Sequence, residues 1–281
     1  MKTRVITAIC IFAVVIPIFY LKMAYDINHF IYILGFILTV LAANEIINVK
    51  EKEKPLPIEI HVLTYMGIIY LAFADSFVEL FQMPEKYNIN ILPFILIIIL
   101  LIMILRKNYK LNDAAYSFLT ITYLGLSFGC LVNFFLKPNG MYALIYIIII
   151  QNITDSFAFF VGRAFGKHKL CPDISPKKTV EGAIGGSLVC TLLVPIYAIL
   201  LSDKLNFPFG NSVILIVLFT LFLSIVDQFG DLVASVIKRH FNVKDYSNLF
   251  PGHGGVLDRL DSILFTSLVY TYLLDLISKL M

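Results

Sequence analysis

Apolar runs long enough to cross a lipid bilayer recur along the whole chain, and no other feature constrains the fold as much. A hydrocarbon core of about 30 Å takes roughly 20 helical residues to span. Runs of that order fall at 5–21, 29–48, 62–82, 91–105, 114–136, 141–161, 182–201, 210–236 and 262–280. They are continuous rather than alternating, and backbone groups left unpaired in lipid are too costly to keep, so helices are expected and a strand barrel is excluded. Composition agrees, with 59% of residues hydrophobic and 15% charged, far from the balance of a soluble domain. The chain reads as an all-α polytopic integral membrane protein with about nine transmembrane helices.

Basic residues give the expected sidedness. Of 22 lysines and arginines, all but Lys22, Lys86, Lys137, Lys204 and Lys279 fall at the amino terminus or in alternate loops near 50, 106, 163–178 and 238–259. Basic excess marks the cytoplasmic side, so the N-terminus is expected to be cytoplasmic and the C-terminus outside. The first run follows Lys2 and Arg4, but no small-residue cleavage site comes after it, so a retained helix is expected. Cys10, Cys130, Cys171 and Cys190 form no close-spaced ligand pair and suggest neither a disulfide frame nor a zinc site.

Polar residues gather in three stretches of the C-terminal half. "NITDSFAFFVGRAFGKHKLCPDISPKKTVEGAIGG" (152–186) closes the sixth run and fills the following loop; "SIVDQFGDLVASVIKRH" (224–240) ends the eighth; "NVKDYSNLFPGHGGVLDRLDS" (242–262) precedes the ninth. A rise of 1.5 Å per residue places Asp227 about 24 Å and Asp231 about 30 Å along the eighth helix, at the inner headgroup boundary, with Asp155 at a comparable depth. Asp227 and Asp231 share one helix face, which continues to Ser235 and Lys238. Acids at the hydrocarbon margin tend to face an internal cavity with partners. Asp261 and Ser262 are read as caps of the ninth helix, an explanation that leaves Asp258 and His253 over. Gly252, Gly254 and Gly255 allow a tight turn close to a ligand, and successive amides in such a turn suit anions. Ser175, Lys177, Lys178 and Thr179 stand just ahead of the seventh helix, with Glu181 in its first turn, an arrangement that attracts phosphate. "GRAFGKH" is not a phosphate-binding P-loop, because its glycines are too close together and His168 stands where Ser or Thr is required.

Lys50, Lys52, Lys54, Arg106, Lys107 and Lys110 need no role beyond orienting the spans. Carboxylates beside Lys177, Lys178, Lys238, Arg239, Lys244 and Arg259 suggest more: a hard divalent ion such as magnesium, bridging to the phosphates of a substrate. Phosphoryl-type displacement needs mainly positioning and charge stabilisation.

The stretch "SVIKRHFNVKDYSNLFPGHGGVLDRLD", 235–261, resembles the signature of the phosphatidate cytidylyltransferases, or CDP-diacylglycerol synthases. Ser235, Lys238, Arg239, Lys244, Asp245, Ser247, Phe250, His253, Gly254, Gly255, Asp258, Arg259 and Asp261 stand where that pattern wants them. The resemblance extends over about 150–270 and departs at Phe157, where many members have Gly, and at "KDYS", where many have "KDSG". It implies transfer of a cytidylyl group from CTP to phosphatidate in phospholipid biosynthesis, giving CDP-diacylglycerol and pyrophosphate with Mg2+ as cofactor, at a cell membrane with the active site facing the cytoplasm. On it, Asp227, Asp231 and Asp258 are expected as metal ligands, with Asp261 and Asp155 as further candidates. Lys177, Lys178, Lys238 and Arg239 would hold phosphates, Arg259 and the Gly254 and Gly255 amides would stabilise developing charge, and His253 would orient a phosphate or water. Residues 1–140 would supply N-terminal transmembrane helices and 141–281 the C-terminal catalytic region of one continuous membrane domain. A homodimer is a further implication, and nucleic acid is not expected as a partner. Alternatives are a cytidylyltransferase for an archaeal-type ether lipid phosphate, a membrane transporter, for which paired inverted halves are lacking, and a non-enzymatic scaffold.

Overall fold

A computed structural model describes residues 2–25, 27–80 and 90–280. The helices, in order, are α1 (Lys2–Tyr25), α2 (His29–Glu51), α3 (Ile58–Leu80), α4 (Leu92–Leu105), α5 (Leu111–Leu136), α6 (Gly140–Phe165), α7 (Val180–Leu200), α8 (Ser202–Leu205), α9 (Val213–His240) and α10 (Leu257–Leu280). Among the described residues seven of them, α2, α3, α5, α6, α7, α9 and α10, are long and apolar enough to cross a membrane. That establishes a mostly helical, multi-pass membrane protein, with seven rather than nine spans meeting the criterion. The run expected at 5–21 falls on α1, of which the described apolar part is Ala13–Lys22, and that at 91–105 falls on α4, which is short for a span. At 1.5 Å per residue, the 14 residues of α4 cover about 21 Å.

Two further differences from the sequence reading concern polar segments. A two-stranded antiparallel hairpin, β1 (Lys169–Cys171) and β2 (Ser175–Thr179), stands between α6 and α7. And α10 starts at Leu257, with Asp258 in its first turn. Asp261 and Ser262 therefore lie inside the helix rather than capping it.

The chain forms two compact units, residues 1–136 with 245–259, and residues 137–244 with 260–281. In the first, α3 packs on α5 so closely that a side chain at Gly129 would meet the Leu71 carbonyl. Lys50 and Asp113, each with 9% of its side chain exposed, form an ion pair of 2.9 Å, and the Tyr116 hydroxyl donates to the Ile46 carbonyl. Lys50 thus has a packing role beyond orienting its span.

In the second unit, α6 and α7 meet through glycines. A Cβ at Gly182 would stand 2.6 Å from the Ala158 carbonyl oxygen, and one at Gly186 2.6 Å from that of Thr154. Small residues four apart let helices approach where lipid supplies no hydrophobic drive between them. A largely buried polar ladder joins these two helices to α9. Thr154 and Ser224 hydroxyls are 2.8 Å apart, Ser224 donates to Ser187, and the Gln228 amide donates to the Ser187 hydroxyl and the Ala183 carbonyl. Gly230 on α9 lies against Ser262 and Phe265 of α10, and Ser262 donates to the Asp227 carbonyl. Farther along, Tyr146 stacks on Tyr197, meets Phe207 and Tyr270 edge-on, and has its hydroxyl 2.6 Å from that of Thr220.

Candidate active site

Four of the acids that the sequence singled out, Asp155, Asp227, Asp231 and Asp261, lie in the second unit on three helices, whereas Asp258, also expected as a metal ligand, lies in the first. Lys178, on β2, places its ammonium 2.5 Å from Asp231 of α9, both side chains partly exposed. Asp155 of α6 lies within electrostatic reach of Lys178 and Asp231. Asp227, one turn before Asp231, has Asp155, Lys178, Asp261 and Asp231 as charged neighbours. It is 1% exposed, and neither carboxylate oxygen accepts a hydrogen bond. A buried carboxylate without donors is costly.

A cavity of about 570 Å³ opens beside these groups, lined by Asp155, Arg163, Lys169, Ser175, Lys177, Lys178, Thr179 and Asp231. Four cations and two acids among the lining residues suit phosphate groups. A second cavity, of about 390 Å³, is lined chiefly by apolar side chains, among them Ile184, Leu188, Leu221, Ile225, Phe229 and Leu232, and shares Leu170, Ala183 and Gln228 with the first. A charged chamber thus has an apolar neighbour across a common wall.

The remaining candidates have other surroundings. Thr179 caps α7, its hydroxyl accepting from the Gly182 amide at 3.1 Å. Glu181 holds the turn before β1, accepting from the amides of Lys167 and His168 and lying 2.6 Å from the His168 ring, and it does not line the cavity. Arg239 donates to the carbonyls of Ile174 and Val243, which fastens the hairpin and the end of α9. Lys238 is buried, Lys244 is exposed, and Ser235 lies 3.5 Å from Asp231. Arg163, Lys169 and Gln228 line cavities without having been assigned a role from the sequence. The first two stand in the quoted stretch 152–186 and Gln228 adjoins Asp227, so only the fold distinguishes them.

The loop 245–259 belongs to the first unit. Gly252 and Gly254 have positive φ, 78° and 81°, and Phe250 pairs with Gly254 across the turn. Asp258 accepts from the amides of Tyr246 and Gly255, at 2.8 and 2.9 Å through one oxygen. His253 has its Nδ1 buried without a hydrogen bond, while Asp245 and Arg259 are exposed.

Among the described residues no three His, Cys, Asp or Glu side chains close into a ready-made ligand set for a metal. The partnerless oxygens of Asp227, with Asp231, Asp155 and Asp261 near, are hard donors suited to an ion that completes its shell with water and substrate oxygens.

A multi-pass helical protein with a cation-lined chamber beside carboxylates and an apolar annex fits the class of membrane enzymes that act on phosphorylated substrates. Sequence comparison specifies the class. The profile of the Cytidylyltransferase family matches residues 2–277. The chain is 36% identical over 267 residues to the phosphatidate cytidylyltransferase of Staphylococcus saprophyticus subsp. saprophyticus, covering 94% of this chain and 95% of that one. It is 35% identical over 270 residues to that of Staphylococcus haemolyticus and 35% over 267 to that of Staphylococcus aureus strain COL, with the same shares covered. The chain belongs to the cytidylyltransferase family and is a nucleotidyltransferase.

Proposed function

We propose that the protein transfers the cytidylyl group of CTP to phosphatidate at a cell membrane, for phospholipid synthesis. The observation that carries this reading is the charged chamber at the hairpin, with Lys178 against Asp231, sharing a wall with an apolar cavity in a chain of this family. The lipid phosphate and the CTP phosphates would meet Lys177, Lys178, Arg163 and Lys169, and an acyl chain would leave along the apolar side.

A phosphatidate oxygen attacks the α-phosphorus of CTP. The new P–O bond forms as the bond to the β-phosphate oxygen breaks, and pyrophosphate carries off the electron pair. The nucleophile is a phosphate monoester with a second pKa near 6, mostly dianionic at neutral pH, so no side chain need remove a proton. Lys177 and Lys178 orient the phosphates and offset their charge. Magnesium, when bound, would neutralise the triphosphate and polarise the α-phosphorus, and Asp227, Asp231, Asp155 and Asp261 would hold it. Asp258, Arg259, His253 and the Gly254 and Gly255 amides are assigned to the same reaction through the family signature.

The finer topology belongs to the proposal: nine crossings, counting α1 and α4, with the amino terminus and the chamber cytoplasmic and the carboxyl terminus outside. The distribution of lysine and arginine supports it. A homodimer is proposed on the family resemblance.

The test is purified full-length protein in vesicles with CTP, magnesium and a panel of phosphatidates, with lipid products followed by mass. Expected is a product heavier by one cytidine monophosphate unit, and one pyrophosphate per product. Vesicles that consume no CTP with any phosphatidate would overturn the proposal.

A further inference from the structure

The N-terminal helices carry no residue assigned to the reaction, yet one of them sends a carboxylate into the signature loop. Glu45, near the end of α2, sits in "LAANEIINVK" and is 4% exposed. Its Oε1 accepts from the Ser247 hydroxyl at 2.7 Å and the Val256 amide at 2.8 Å, and its Oε2 accepts from the Leu257 amide at 2.9 Å. Leu257 is the first residue of α10, so two of these donors are amides at a helix start, where intrahelical partners are lacking and negative charge is favoured. Charge-assisted bonds of this length are the strong kind. Gly255 lies so close that any side chain there would overlap the Glu45 carboxylate.

Only one other carboxylate bonds to this loop's backbone in the described contacts, and it is the loop's own. Asp258 ties Tyr246 to Gly255, while Glu45 ties Ser247 to Val256 and Leu257 from outside. The two clasps together fix both limbs of the turn that presents His253, Gly254 and Arg259. Asp258 restrains the loop internally, and Glu45 sets where the loop sits on α2.

We infer that Glu45 is a positioning residue for the reaction: it touches no substrate, and holds the 245–259 loop in the geometry its phosphate-handling groups need. This rests on the proposed cytidylyl transfer. A displacement of about 1 Å in such groups costs on the order of 100-fold in rate. In Glu45→Gln the volume is kept, but an NH2 group replaces one acceptor, and whichever way the amide turns at least one main-chain donor loses its partner.

The experiment compares full-length wild type, Glu45→Gln and Glu45→Asp. It measures steady-state transfer from CTP to phosphatidate, and hydrogen exchange at the Val256 and Leu257 amides. Expected for Glu45→Gln is a kcat lower by about 100-fold with KM for both substrates within about threefold, and exchange at both amides faster by about tenfold or more. Glu45→Asp, which keeps the charge, should recover part of kcat. A Gln variant with wild-type kcat would overturn the inference, and so would unchanged exchange. A wild type that makes no nucleotide lipid would remove the proposed reaction, and the exchange result would then decide the role of Glu45 by itself.

Discussion

Asp227→Asn separates a residue kept for chemistry from one kept for stability. The carboxylate is 1% exposed, neither oxygen accepts a hydrogen bond, and three acids stand near it against a single lysine. Asn keeps the shape, removes the buried charge and brings an amide that can donate. An unsatisfied buried polar group costs about 1–3 kcal/mol and more when charged, and relieving a poorly compensated buried charge is worth a similar amount. The variant should therefore unfold at a free energy higher by about 1–3 kcal/mol. For a chain of this size that raises Tm by roughly 2–4 °C per kcal/mol. Turnover should fall by about 1,000-fold, as when a group that stabilises developing charge is lost. The assay pairs thermal unfolding in detergent, with chelator present so that no ion compensates the charge, with cytidylyl transfer from labelled CTP. A variant that is less stable than wild type by more than about 1 kcal/mol, or that turns over at the wild-type rate, would refute the reasoning.

Two other outcomes are expected. Lys178→Met removes a cation 2.5 Å from Asp231; because both side chains are partly exposed, stability should change by under about 1 kcal/mol, while kcat/KM in the same transfer assay falls by about 100-fold. Gly186→Leu drives a side chain into the Thr154 carbonyl, which a Cβ alone would approach to 2.6 Å, and the forced separation of α6 and α7 should cost about 1–3 kcal/mol in thermal unfolding.

Where the chain enters the membrane was legible because apolar length is a one-dimensional property. Each expected run falls on a helix over its described residues, and at 91–105 the disagreement is one of length, since α4 has 14 residues. The hairpin at 169–179 was not legible, since strands as short as KLC and SPKKT carry neither alternation nor β-branched enrichment. The start of α10 was misread because Asp258 and Asp261 resemble loop and cap acids, whereas the first turn begins earlier at Leu257. The common depth of Asp155, Asp227 and Asp231 followed from helix arithmetic, whereas Lys177 and Lys178 were singled out as lysines just ahead of a helix start. Glu45 was beyond reach: an acid near a span end is ordinarily interfacial, and its partners lie more than 200 residues away in the chain.

At the centre stands the claim that Asp227 and its neighbours seat a divalent ion for the phosphates. Manganese in place of magnesium, titrated into the full-length protein with CTP and followed by electron paramagnetic resonance, tests it most directly. Expected is tight binding in wild type that weakens by about tenfold or more in Asp227→Asn and further in Asp227→Asn with Asp231→Asn, in line with the loss of ligand oxygens. Manganese bound equally well by wild type and the double variant would contradict it.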